Sequence, residues 1–383
     1  MKVLVIPSWH PLPSKPLWCT WILPHIEAIR NAGHDVYILQ ININEEGNLG
    51  NEIEKLEKKH LFSEITVASH KRYRNVFLYP SLMRKYLDRL YQMYQLVETE
   101  WGRPDVIHAH VSLPAGFGAG KLGKKIGVPT VVTEHYSGFE SDMRYPWRLR
   151  KLLNEMVKDV SVFSAVSQGF ADRIRKTGLN TEIKILENPI NCNYFSGERV
   201  EEPGVLRLVT IATSNPIKGV DILLKALERI DTEKVNWRLT IIGDFDKSKG
   251  YELFFKKQAF RERIIITGKV PKNEVRKRFL NSDVYIVSSR SETANVSMLE
   301  AMSCGVPVIT TSCGGPESLL TDKVSIVVKR AHEKELHEAI MKLQEKKLKF
   351  EATIVKQFVK DNYSTEVMAN KISNLYSDIV SET

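Results

Sequence analysis

The chain has 383 residues, 43% of them hydrophobic and 26% charged, with a formal net charge of +9. That length exceeds what one hydrophobic core usually organises, so two domains are expected, and the composition fits a globular protein. No apolar run approaches the roughly 20 residues that cross a bilayer. Four cysteines (Cys19, Cys192, Cys304 and Cys313) with no CxxC pair suggest neither a zinc site nor a disulfide framework, so a reducing cytoplasm is the expected setting.

The N-terminal residues 1–7 are too short for a signal-peptide core, lack a small-residue cleavage site and read as a first strand over 3–7. A helix follows over 22–31, closed by Gly33, then a strand over 35–39. Residues 70–91 and 144–151 carry clustered Lys and Arg interleaved with aromatics, and Leu82, Tyr86, Leu90 and Met93 recur at helical spacing. Further strands are expected over 105–108, 130–133 and 160–165. After Asn188 and Pro189, residues 191–204 read as a polar linker with turn formers and no periodicity. Strands at 206–212, 238–242, 264–267, 283–287, 306–310 and 325–328 then alternate with helices, and residues 364–380 have the apolar spacing of a terminal helix.

Such alternation marks parallel sheets built from βαβ units. The expected fold is α/β, with two doubly wound, Rossmann-like domains whose strand carboxyl ends face one cleft. One domain is 1–190, completed by a C-terminal helix over 364–383, and the other is 205–355.

The chemistry-bearing stretch is 291–309, which follows the strand at 283–287 and opens a short helix that Gly305 can end. Glu292 in the loop and Glu300 about two turns into the helix can accept hydrogen bonds from two separate diols. The helix start between them offers free N–H groups to a phosphate. The bland alternative is an ordinary capped helix with a solvated glutamate.

This stretch resembles the Glu-x7-Glu motif of retaining, nucleotide-sugar-dependent glycosyltransferases of the GT-B fold, specifically glycosyltransferase family 4. Asp105-Val106-Ile107-His108-Ala109-His110 with Pro114-Ala115-Gly116, and Thr133-Glu134-His135, look like family segments in family order. So do Ser164-Ala165-Val166-Ser167, Asn188-Pro189, Lys218-Gly219-Val220-Asp221, Ile241-Ile242-Gly243 and Thr267-Gly268.

The resemblance implies that the 205–355 domain binds the donor, a UDP- or GDP-hexose, and the N-terminal domain the carbohydrate or lipid-linked acceptor. Glu300 would bind the ribose, Glu292 the transferred sugar, and backbone around Thr293, Ala294, Asn295 and Val296 the diphosphate. Thr213, Ser214 and Lys218 would meet the phosphates, Lys218 neutralising the leaving group. Gly268, Lys269 and Val270 would lie beside the base, and His135 near the anomeric centre. The catalytic set is then His135, Glu292 and Lys218, with no metal and no cofactor beyond the donor substrate.

The family's arginine about five residues before the lysine is absent here, its glycine-containing N-terminal loop is replaced by residues 16–21, and its aromatic after the first glutamate is Ala294. Trp18 or Trp21 would then shape the acceptor pocket or fill the core. Asp244 and Asp246 form an Asp-x-Asp triplet, read as a loop and not a metal site. His108 and His110 look like a metal pair but are expected on opposite faces of their strand, and His25 and His34 as surface or capping residues.

The rival readings are a sugar-nucleotide epimerase or hydrolase on the same fold, and a nucleic-acid binder. The basic residues follow no recognition motif, so no nucleic-acid partner is expected. An anionic membrane surface remains an expected partner of residues 70–91 and 144–151, which would place the protein at the inner face of the cell membrane. The alternative is a helix that packs its apolar face on its own sheet.

Overall fold

The computed structural model describes residues 1–44, 53–66, 79–140, 147–232, 235–245, 260–345 and 349–382. The chain divides into two compact units, Met1–Pro189 with Thr365–Thr383, and Ile190–Ser364.

The first unit is built on an eight-stranded sheet. Its strands are β1 (Lys2–Pro7), β2 (Asp35–Asn44), β3 (Ile53–Glu57), β4 (His60–Thr66), β5 (Val106–His110), β6 (Thr130–Glu134), β7 (Val162–Ala165) and β8 (Lys184–Ile185). Their spatial order is β3-β4-β2-β1-β5-β6-β7-β8. Every neighbouring pair is parallel except β3 with β4. Strands β5 and β6 are buried along their whole length, as parallel strands covered by helices on both faces must be.

Helix α1 (Leu23–Asn31) packs against the returning helix Thr365–Ser381. Ile26, Ile29, Ile372 and Ile379 join Val3 and Val5 in one core. The hairpin of β3 and β4 was not read from the sequence, because it interrupts the βα alternation with an antiparallel pair.

Helix α2 (Tyr79–Trp101) carries the amphipathic pattern noted above. Its Leu82, Tyr86, Leu90 and Met93 are buried inside the first unit, against β2, β4 and helix α3 (Phe117–Ile126). This corrects the membrane-facing expectation, since the apolar stripe is core, while Arg84 and Lys85 point outward. Arg89 is tied inward, donating from Nη1 to Ser63 Oγ at 2.8 Å. The parts of the basic segments at 70–78 and 144–146 lie outside the described residues. The remainder of the second segment opens helix α4 (Trp147–Asp159).

The second unit holds a six-stranded, fully parallel sheet. Its strands are β9 (Leu206–Ile211), β10 (Trp237–Ile242), β11 (Ile264–Ile266), β12 (Val284–Val287), β13 (Val308–Thr311) and β14 (Ser325–Val328), in the order β11-β10-β9-β12-β13-β14. Helix α5 (Gln168–Arg175) precedes them in the first unit, and α6 (Val220–Thr232), α7 (Lys272–Leu280), α8 (Val296–Ser303), α9 (Glu333–Gln344) and α10 (Ala352–Tyr363) lie in the second. The last helix, Thr365–Ser381, is α11. α6 packs on α9, and α8 packs between α7 and α10.

The stretch 191–204, read above as a linker, packs onto the second unit. Val200 N–H donates to Leu280 O at 2.9 Å, Arg199 Nη2 to Ser282 O at 2.8 Å, and Lys356 Nζ to Gly197 O at 2.7 Å. Irregular backbone captured by long cationic side chains has the same polar, turn-rich composition as a free tether. Composition therefore could not separate the two.

Candidate functional site

In the second unit, strand β9 ends at Ile211 and the chain enters a short turn over Pro216–Lys218. Gly219 follows in the left-handed region, at φ 61°, and a Cβ there would lie 2.0 Å from Ser288 O. Only glycine tolerates both the dihedral and the approach. The turn is thereby pressed against the loop that follows β12. Ser288 Oγ donates to Lys218 O at 3.0 Å, and Arg290 grips the turn from the same loop, through both carboxylate oxygens of Asp221 at 2.8 and 2.6 Å and through Pro216 O at 2.7 Å.

This packing carries Lys218 to Glu292, with Nζ to Oε1 at 2.7 Å. Ser289 Oγ donates to the same oxygen at 2.8 Å and Asn295 Nδ2 lies 3.3 Å from it. A buried carboxylate needs such donors. Two residues expected to touch different parts of a donor are thus one ion pair. Ala294 is buried, and Thr293 and Val296 are half-buried. Asn295 takes a left-handed conformation, φ 59°, and caps α8 by accepting from Met298 N–H at 3.1 Å. The loop is backed by Gly315, whose Cβ would lie 2.2 Å from Thr293 O, and Glu317 accepts from the Gly314 and Gly315 N–H groups at 2.7 and 3.1 Å.

Glu300 sits on α8 with 9% of its surface exposed. Burial pushes its carboxyl above the usual carboxylate range, and the Lys272 ammonium opposes that push. Lys272 Nζ lies 3.3 Å from Glu300 Oε1 and 5.7 Å from the Phe195 ring centroid. Sequence reasoning missed Lys272. It opens α7, 28 positions from Glu300 and in no motif that signals a partner.

The other expected donor residues surround this pair less tightly. Thr213 is exposed, Ser214 is buried with its N–H donating to Asp244 O at 3.3 Å, and Lys269 is exposed beside a half-buried Val270. Gly268 is held to the end of β10, where Gly243 N–H donates to Gly268 O at 3.0 Å. Asp244 is an exposed loop residue, and Asp246 lies outside the described residues. Among the described residues no group of three or more His, Cys, Asp or Glu is arranged to hold a metal ion.

His135 belongs to the first unit, just past the end of β6. It is the outer member of a chain of imidazoles. His135 Nε2 and His110 Nδ1 share one proton at 3.0 Å, and the Trp21 ring stacks 4.2 Å from His135. His25 is buried and donates from Nε2 to Asn188 Oδ1 at 3.0 Å, its ring 5.0 Å from both His110 and His135. His108 bonds Tyr376 Oη at 2.6 Å and Thr133 Oγ1 at 2.8 Å.

These contacts correct three expectations. His25 and His34 are buried, not surface residues, with His34 packed on the Tyr376 ring. His108 and His110 stack at 4.3 Å, because residues two apart on a strand share a face. Trp21 serves the imidazole cluster, while Trp18 is exposed. Burial holds His25 down to about 4 and His108 to about 3, and takes His110 and His135 well below the ordinary value, so all four are neutral near pH 7. Glu134, also unforeseen, is buried and organises the neighbouring backbone, accepting from the N–H groups of Ser112, His135 and Tyr136 at 2.8, 2.8 and 2.6 Å.

Two family models match complementary parts of the chain. "Glycosyltransferase Family 4" matches residues 22–194 and "Glycosyl transferases group 1" residues 199–378. The chain is 25% identical over 255 residues to the putative teichuronic acid biosynthesis glycosyltransferase TuaC of Bacillus subtilis, covering 64% of this chain and 62% of that protein. It is 23% identical over 247 residues to the phosphatidylinositol N-acetylglucosaminyltransferase GPI3 subunit of Saccharomyces cerevisiae, covering 62% and 54%. The matched stretch therefore spans less than two thirds of either relative.

Among solved structures, sucrose-phosphate synthase from Thermosynechococcus elongatus aligns with a TM-score of 0.79 at 14% identity, covering 100% of both chains. Anabaena HepE in complex with UDP aligns at 0.71 and 16%, covering 99% of this chain and 100% of that one. At such identities the likeness is one of fold, the two parallel-sheet α/β domains of the GT-B class.

Proposed function

The chain belongs to glycosyltransferase family 4, and on that footing we propose that it moves a hexosyl group from a nucleotide-sugar to a carbohydrate or lipid-linked acceptor, with retention at the anomeric carbon. The observation that carries this reading is the pair of buried carboxylates flanking the start of α8, each held by its own lysine, Glu292 by Lys218 and Glu300 by Lys272. Hydroxyl-rich ligands exchange readily into such pairs, because an alcohol O–H satisfies the carboxylate while the freed ammonium turns to phosphate.

In this reading Glu300 accepts from the ribose and Glu292 from the transferred sugar. The loop over 293–296 and the start of α8 meet the diphosphate, with Thr213 and Ser214 on its far side and residues 268–270 beside the base. Lys218 neutralises charge on the departing diphosphate, a task that many transferases give to a metal. The arginine that the family usually supplies nearby is absent, so Lys218 carries this charge with the helix N–H groups. His135, kept neutral by burial, serves the acceptor side as a hydrogen-bonding group. With no carboxylate among the described residues read as a nucleophile, the acceptor attacks on the face that the diphosphate leaves, through an oxocarbenium-like state held by position and field.

Support for a uridine nucleotide comes from HepE, solved with UDP. Support for an anionic or lipid-linked acceptor comes from the relatives named for teichuronic acid and for phosphatidylinositol. None of the four cysteines forms a disulfide, which suits a cytoplasmic setting. Among the described residues no helix is long and apolar enough to cross a membrane.

The test is calorimetric titration with UDP, GDP, ADP and CDP and the corresponding hexose conjugates, without added metal. One nucleotide family should bind in the micromolar range, its sugar conjugate releasing diphosphate only when a suitable acceptor is present. Release of epimerised or free sugar without acceptor would establish the rival reading. No binding by any of them would overturn the donor site.

A further inference from the structure

We propose that Lys272 and Glu300 act together as a reader of the ribose cis-diol, with Lys272 donating to one hydroxyl while Glu300 accepts from the other. The inference rests on the donor-site reading and names a recognition residue that lies outside the Glu-x7-Glu motif.

Three observations carry it. First, the pair is incomplete. Lys272 reaches only Oε1 of Glu300, at 3.3 Å, and among the described residues no group bonds Oε2 of this largely buried carboxylate. That oxygen is not among the sealed, unpartnered polar atoms of the structure, so a ligand hydroxyl or water can reach it. Glu292 is more heavily engaged, its Oε1 receiving Lys218, Ser289 and Asn295.

Second, among the described residues Lys272 has no other polar partner. Its ammonium has three N–H donors, one directed at Glu300, and otherwise faces the Phe195 ring at 5.7 Å. Third, the spacing fits. An ammonium and a carboxylate oxygen 3.3 Å apart present a donor next to an acceptor, with a separation close to that of two vicinal hydroxyl oxygens. Each ribose hydroxyl both gives and accepts, so the diol lies across the pair with every bond charge-assisted. A sugar with a single hydroxyl there fills one of the two positions and leaves the other contact to water.

Lys272 opens α7 and its side chain is 35% exposed, so replacing it should leave the fold intact. The experiment measures affinity by calorimetry for UDP and 2′-deoxy-UDP, with GDP and 2′-deoxy-GDP in parallel. The proteins are the unaltered chain, Lys272→Met and Lys272→Arg.

The unaltered chain should prefer the ribonucleotide by roughly tenfold or more, the worth of a charge-assisted hydrogen bond. Lys272→Met should bring that ratio to within about threefold by weakening the ribonucleotide while the deoxynucleotide changes little, and Lys272→Arg should keep the preference. An unchanged ratio in Lys272→Met overturns the role of Lys272 and leaves the donor site standing. Should neither UDP nor GDP bind, the pair of ribo- and 2′-deoxynucleotides is taken from ADP or CDP, and failure of all four bases to bind the unaltered chain overturns the donor site itself, and this inference with it.

Discussion

In the first unit, His25, His108, His110 and His135 are packed ring against ring and bonded to one another, to Tyr376, to Thr133 and to Asn188. In the second, Glu292 and Glu300 are buried beside Lys218 and Lys272. Burial drives the imidazoles to their neutral form, so the first cluster offers direction and shape with no net charge. The carboxylates keep a cation within reach, so the second offers charge that a ligand can borrow. The contrast matches the division of labour proposed above. On that proposal a neutral acceptor hydroxyl would meet neutral imidazole, and an anionic donor would meet lysines held in reserve by carboxylates.

Acid should strike the two units unequally, and this is the largest expected effect. Burial holds His25 down to about 4, and His60 and His108 to about 3, so these rings take up a proton readily only in the unfolded chain. Stability is therefore intact above the unfolded histidine value near 6.5 and falls as pH drops below it, levelling out only near the folded values. From pH 7.5 to 5 each ring costs about 2 kcal/mol, and the three together about 6 kcal/mol. Proteolysis in a urea gradient at pH 7.5 and pH 5, with fragments mapped by mass, should show the first unit opening earlier at the lower pH. If the second unit opens first, the contrast fails.

Next in size is Glu300→Gln, which keeps the shape and removes the charge. Donor affinity should fall by about 1.5–3 kcal/mol in calorimetry, and an unchanged dissociation constant in a folded variant would remove Glu300 from the site. Lys218→Ala should slow turnover more than tenfold, about 1.4 kcal/mol or more in the barrier. Equal rates would show that the leaving group takes its charge elsewhere.

His135→Ala sharpens the comparison from the opposite side. It should lower turnover while nucleoside diphosphate affinity moves by less than about 0.5 kcal/mol, as independent sites do. A large loss of nucleotide binding would break the division between units. Smallest of all, a strong chelator should leave turnover unchanged, and activity lost to it and restored by magnesium would bring Asp244 back as a ligand.

Much of this was legible in the sequence, and what was not has identifiable causes. Runs such as Val3–Ile6 and Val131–Val132 announce buried parallel strands because nothing else in a chain of this composition is so uniformly apolar. Lys218-Gly219 was legible only as a family segment, because the sequence does not show that Gly219 takes a left-handed dihedral under Ser288. The pairs Lys218–Glu292 and Lys272–Glu300 span 74 and 28 positions, and spacing carries no information about contacts made by the sheet's crossovers. His25 looked like a surface residue because imidazole is at home in water or in a core, and only Asn188, 163 positions on, decides between them. The apolar stripe of α2 was visible, but not what it faces, since a membrane and a neighbouring helix ask for the same residues.

Helix α11 lies across the first unit, with Ile372 and Tyr376 in its core, although the whole second unit precedes it in the chain. On the ribosome the order of completion is therefore inverted. Residues 190–364 form a continuous stretch and can close as soon as they emerge. The sheet that began the chain must wait with the α11 face of its core uncovered. At about 5–20 residues per second the 175 positions from 190 to 364 take roughly 10–35 s to make. For that interval the part of α1 and its core that α11 covers stays open to solvent, and chaperones that bind exposed apolar segments have that long to act on it.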